Sequence, residues 1–129
     1  MIAKLLPDAR KPVNGGTLDS ADYKKESEAA HFIHVATHGV EFGFDNPEKA
    51  HIRLKEPIHV LDRQSRKTQA HLILFVIYFS GTDHMTETGD LIGFGHTILG
   101  SGAIAFIASL WAASDVATFF LAYVFCKGL

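Results

Sequence analysis

Two apolar runs of this chain stop at residues able to do chemistry. FIHVAT, residues 32–37, ends at His38-Gly39, and LILFVIYF, residues 72–79, carries Tyr78 near its end and opens onto Ser80-Gly81-Thr82-Asp83. An imidazole takes up a proton near neutral pH, and a nucleophile beside it attacks a carbonyl carbon; acyl transfer needs that pairing. The two groups meet only if both runs are strands of one parallel sheet, because such strands end on one edge and leave a crevice there. Otherwise a histidine after a strand is an ordinary surface residue.

Other residues compete for a role. Ser80 lies two positions past Tyr78, on the same face of an extended chain, and would need an oriented base and an oxyanion hole to act as a nucleophile. Cys126 is the only thiol and sits among Tyr123, Val124 and Phe125, where it reads as a small core hydrophobe. His31, His34 and His38 have a spacing that would suit zinc on a helix face. In a strand, however, His31 points away from His34 and His38. A zinc-binding structural module is therefore an alternative reading only if these three converge. His51, His59, His71, His84 and His96 read as ordinary polar positions. Gly93-x-Gly95 falls within a helical pattern, so it is not read as a nucleotide-binding turn.

The elements that must position these groups alternate in type. Ser20-Ala21-Asp22 caps a helix to about residue 30. Strands follow at 32–37, at HIRL (51–54) and at IHVL (58–61), then a short solvated helix from Asp62. The strand at 72–79 precedes the loop SGTDHMTETG, after which DLIGFGHTILGSG has helical spacing with a glycine stop. AIAFIASLW, starting at Ala103, reads as a third buried strand. SDVATFFLAYVFCKGL has Ser114 or Asp115 at its head and Lys127-Gly128 at its foot, as a helix does. This alternation gives an α/β fold with a mainly parallel central sheet flanked by helices.

Composition narrows the class. The chain has 129 residues, 47% hydrophobic and 20% charged, enough for one domain with a real core. A net charge of −2 does not favour nucleic acid as a partner. A single cysteine fits a reducing, cytoplasmic compartment. Residues 91–113 carry no formal charge apart from a protonated His96 and are long enough to cross a bilayer. Gly93, Gly95, Gly100 and Gly102 punctuate that stretch, so a helix, a turn and a strand are expected and no membrane segment. Residues 1–19 read as irregular, and the domain occupies 20–129. Three strands make a thin sheet, which calls for more strands from beyond this chain or from a partner's edge.

FIHVATHG, HLILFVIYFSG, TGDLIGFGHTILGSGAIAFIASLW and SDVATFFLAYVFCKGL together resemble the CHAT family, caspase-like domains related to separase and gingipain and often attached to tetratricopeptide repeats. The family's strand ending in a histidine-glycine pair matches His38-Gly39, its Ser-Leu-Trp strand end matches Ser109-Leu110-Trp111, and the resemblance runs over residues 30–129. It implies a three-layer caspase-like fold and a His/Cys dyad. Placing Ser80-Gly81 on the family's Thr-Gly sets Val76-Ile77-Tyr78 where Ser-Ala-Cys belongs, so Tyr78 occupies the nucleophile position. A phenol titrates near about 10 and attacks amides poorly. Asp90 matches the family's Gly-Asp-Glu helix start, which implies a substrate contact or a helix cap, with Leu91 in place of the glutamate. Trp111 is expected to pack at the sheet edge. The expectation is a catalytically inactive, cofactor-free interaction module of a larger repeat protein, with a protein or peptide partner. The alternative is a hydrolase using His38 with Ser80.

Overall fold

A computed structural model describes residues 5, 19–40, 49–60, 67–77, 83–85, 91–111 and 114–129. Helix α1 spans Ser20–Ala29, and it is Asp19 that caps it, its carboxylate accepting from the Asp22 N–H at 2.8 Å. The cap thus lies one residue ahead of the expected Ser20. Strand β1 (Phe32–Ala36) leads into β2 (Gly39–Val40), β3 (His51–Ile52) and β4 (Ile58–His59). Strand β5 (Leu72–Val76) is followed by β6 (Asp83–Met85), β7 (Leu91–Gly93), α2 (Phe94–Gly100), β8 (Ala105–Ile107) and α3 (Asp115–Lys127).

The sheet that organises the fold has the order β1-β5-β8, and both pairings are parallel. All three of its strands were legible as apolar runs, and the α/β class with a parallel sheet holds. Side chains alternate across it. Ile33, Ile73, Phe75 and Ile77 share one face with Phe94 and Ile98 of α2, and with Ile52, Val60, Ala70 and Ala103. Leu74 lies on the opposite face with Ala122 and Cys126 of α3, and Leu5, Phe32 and Val76 pack at the margin of that cluster. Phe75 anchors the first face, meeting Phe94 and Phe106 edge-on at 5.9 and 5.2 Å between ring centres. Antiparallel β2-β3-β4 and β6-β7 form two smaller sheets.

Four readings are corrected. Residues 91–93 pair with β6 as a strand, with Asp83↔Gly93 and Met85↔Leu91, where helical spacing had predicted helix; a short apolar run fits either state. Gly93 therefore stands at a strand-to-helix junction and not inside a helix, and it is the residue that precedes α2. Residues 67–70 form no helix, and 61–66 lie outside the described residues. Strand β8 is not buried. It is the sheet edge among the described residues, with Ala105 and Ile107 exposed, because an apolar run does not reveal whether it has a neighbour on each side. Trp111, expected to pack at that edge, is 66% exposed.

One buried hydroxyl ties the helices to β5. Thr68 donates from Oγ1 to the Ser27 carbonyl at 2.9 Å, and Oγ1 accepts from the Ala70 N–H at 3.2 Å. The Thr68 N–H reaches the Ser101 carbonyl at 3.0 Å. The chain turns beside this point at Gly102, with φ +108°, and a Cβ there would sit 3.0 Å from the Thr68 carbonyl oxygen. Both the left-handed backbone and the close approach demand glycine. Gly100 meets nothing within 4 Å of such a Cβ. Gly102→Ala should therefore lower unfolding stability by roughly 1–2 kcal/mol, while Gly100→Ala should leave it unchanged or raise it by up to about 1 kcal/mol. Urea titration of the two variants side by side checks the contrast.

Candidate functional site

β1 and β5 run parallel and in register from Phe32↔Leu72 to Ala36↔Val76. Both chains therefore leave the sheet at one edge, β1 through Thr37 and His38, β5 through Ile77. That is the edge where an α/β sheet usually places its site. His38 is exposed at this rim and links the parallel sheet to the small antiparallel one, since the next residue, Gly39, begins β2 and pairs with Ile52.

Two hydrogen bonds to one residue fix that bend. The Thr37 hydroxyl donates to the Arg53 carbonyl at 2.8 Å, and the Arg53 N–H donates to the His38 carbonyl at 2.9 Å. The backbone around His38 is thereby clamped to the residue that follows β3. On the neighbouring strand the Ser109 hydroxyl donates to the Ile77 carbonyl at 2.7 Å, tying the exit of β8 to the exit of β5. Neither clamp was read from the sequence. Thr37 looked like a strand-former and Ser109 like a family motif residue; their partners, 16 and 32 residues away, leave no local trace. Tyr78, Ser80 and Asp90 lie outside the described residues. The reading of Asp90 as a helix cap is corrected, because α2 begins only after Gly93 and has no side-chain cap.

The other histidines separate. His31 sits in the bend before β1; its carbonyl accepts from the His71 N–H at 2.7 Å and its ring stacks on that of His71 at 5.1 Å. His51 and His59 face each other across β3 and β4, with ring centres 5.1 Å apart. His34 lies mid-strand, opposite Leu74, and its Nε2 is buried without a hydrogen-bond partner. Four residues of extended chain, about 13 Å, separate it from His38. The three histidines weighed for zinc are thus spread along β1, and among the described residues no group of three or more His, Cys, Asp or Glu could hold a metal. Cys126 is buried under the sheet with Leu74 and Ala122, and burial pushes its thiol pKa up. No helix of the described residues is long and apolar enough to cross a membrane.

Burial also pulls the His34 pKa down. Above about pH 6.5 the ring is neutral in folded and unfolded chains alike and has no pH-dependent effect. As pH falls below that value the unfolded chain takes up a proton that the folded chain resists, so stability drops. The thermal midpoint of wild type should therefore fall more steeply between pH 7 and pH 5 than that of His34→Leu. At the rim, Thr37→Val removes one hydrogen bond and should lower stability by about 0.5–1.5 kcal/mol, read by denaturant titration at pH 8.

A model of the CHAT domain family matches residues 1–129 of the chain, the whole of the sequence given. No curated protein and no solved structure matches it.

Proposed function

The chain belongs to the CHAT domain family, and from that premise we propose that it is a pseudopeptidase, a caspase-like domain that has kept the histidine rim and lost the nucleophile. The observation that carries this reading is the in-register β1–β5 pair, which brings His38 and the exit of β5 to one edge. Two positions beyond the last register pair, Ala36↔Val76, come His38 on one chain and Tyr78 on the other. In the family pattern these are the places of the dyad histidine and of the cysteine. A phenol beside an imidazole can share a hydrogen bond but does not open a peptide bond at neutral pH, since its ordinary pKa is about 10. The only thiol present, Cys126, is held in the core.

A three-layer caspase-like arrangement is part of the same reading. It is supported by α2 and α3 packing on opposite faces of the sheet. With the chemistry gone, the crevice remains as a surface that receives a protein or peptide segment, and Asp90 contributes to that contact. The domain then works as a regulatory module within a larger cytoplasmic, repeat-bearing protein.

Restoring the thiol tests the proposal directly. Tyr78→Cys should become reactive towards a peptidyl chloromethyl ketone, at a rate that falls roughly 100-fold when His38→Ala is added. The wild-type chain should show no labelling at residue 78 and no peptide turnover. Peptide cleavage by wild type that Ser80→Ala abolishes would replace this reading with a serine-dependent hydrolase.

A further inference from the structure

Two imidazoles meet on the outer side of the small antiparallel sheet. His51 of β3 and His59 of β4 are register partners, and so are Ile52 and Ile58. Both isoleucines are fully buried, so the alternation of each strand turns the two histidines to the opposite side. The Val60 N–H donates to the Ala50 carbonyl at 2.9 Å, which makes Ala50–Val60 a hydrogen-bonded pair and the adjoining His51–His59 a non-hydrogen-bonded one. Side chains approach most closely at such pairs, where Cα atoms are about 4.5 Å apart. The ring centres are accordingly 5.1 Å apart, and the ring planes cross at 53°.

That geometry suits a shared ion. Imidazole binds a metal through a nitrogen lone pair lying in the ring plane, so two rings share an ion only where their planes cross. Two nitrogens about 2.0–2.1 Å from one ion, at a tetrahedral angle, put their ring centres roughly 5 Å apart. The His31–His71 pair has the same separation but is stacked, with planes only 22° apart, so its lone pairs run in near-parallel planes. A second feature of His51 points to a metal. Its Nδ1 lies 3.0 Å from the Lys49 carbonyl oxygen. A carbonyl only accepts, so Nδ1 carries the proton and Nε2 the lone pair, the tautomer in which Nε2 can ligate. A ligating imidazole is regularly held through its other nitrogen in this way.

We propose that His51 and His59 chelate one divalent transition ion of the zinc, nickel or copper kind, the ions that imidazole suits. Among the described residues no group of three or more His, Cys, Asp or Glu forms a closed cage. Water therefore fills the remaining positions, which an exposed His59 and a half-buried His51 allow. The ion bridges β3 and β4, and β3 runs directly into Arg53, which holds the bend at His38. This site goes beyond the pseudopeptidase reading and does not rest on it.

The full chain, dialysed free of metal, should bind one Zn²⁺ per molecule when titrated with zinc chloride in a calorimeter, and Cu²⁺ should bind more tightly than Zn²⁺. His51→Ala and His59→Ala should each weaken Zn²⁺ binding by at least about tenfold, the scale on which even the outer partners of a ligand count. His71→Ala should leave it unchanged. One equivalent of Cu²⁺ should give an electron paramagnetic resonance spectrum coupled to two nitrogens. A Zn²⁺ Kd weaker than about 1 mM overturns the proposal. So does binding that survives in both folded variants, an equal loss in His71→Ala, or a copper signal from a single nitrogen. Circular dichroism checks folding; if one variant fails to fold, the other and the wild-type copper spectrum decide.

Discussion

A central strand that is apolar on both faces governs this structure. Ile73, Phe75 and Ile77 project to one side of β5, and Leu74 and Val76 to the other. Such a strand has no side that water can wet, so each face must find cover, and strands must lie along both edges to satisfy its backbone, here β1 and β8. Helix α2 answers on one face through Phe94 and Ile98, and α3 on the other through Ala122 and Cys126. Burying a large aliphatic or aromatic side chain contributes about 1.5–3 kcal/mol. The row on β5, joined by the equally buried Ile52 and Ile58 of the small antiparallel sheet, is therefore where the fold's stability is concentrated.

The rim at His38 is a by-product of the same requirement. Because β1 pairs with β5 in parallel and in register, His38 arrives at the edge where β5 also ends. The local clamps then refine its position: Thr37 and the His38 carbonyl are held by Arg53, and Ile77 by Ser109. Hydrogen bonds of this kind contribute little to stability but much to where a backbone can go. The rim is thus carried by the sheet and trimmed by side chains from the elements around it.

Cover is uneven. The α2 face is closed by two aromatic contacts and by buried residues from several segments, whereas β8 presents Ala105 and Ile107 to solvent and α3 presents Val116, Phe120, Leu121 and Val124. Ile107 pairs with Leu74 and so shares the α3 face, yet α3 lies over β5 and leaves it open. Exposed apolar side chains are not confined to that face, since Leu99 of α2 and Ile104 just before β8 are also open to water.

How far the sequence could be read follows from what is local. Period and capping placed α3 nearly to the residue, because Ser114 accepts from the Ala117 N–H and Lys127-Gly128 closes the last turn. Runs of branched and aromatic residues placed β1 and β5 for the same reason. The stretch 91–93 was misread because three apolar residues fit a helix face and a strand equally well, and only its pairing with β6 decides. Likewise Ala105–Ile107 carries no sign of being an edge, and His31 and His71, forty residues apart, carry none of stacking.

By itself the sequence determined the chemical inventory, the kind of most elements, and the motifs of the family to which the chain belongs. Only the tertiary structure decided which strands are neighbours, which apolar faces are covered, and that the bend at His38 is pinned by Arg53. The physical reason is one of range. Propensity and capping act within a few residues, whereas register, burial and solvent exposure depend on segments that meet only after the chain has folded.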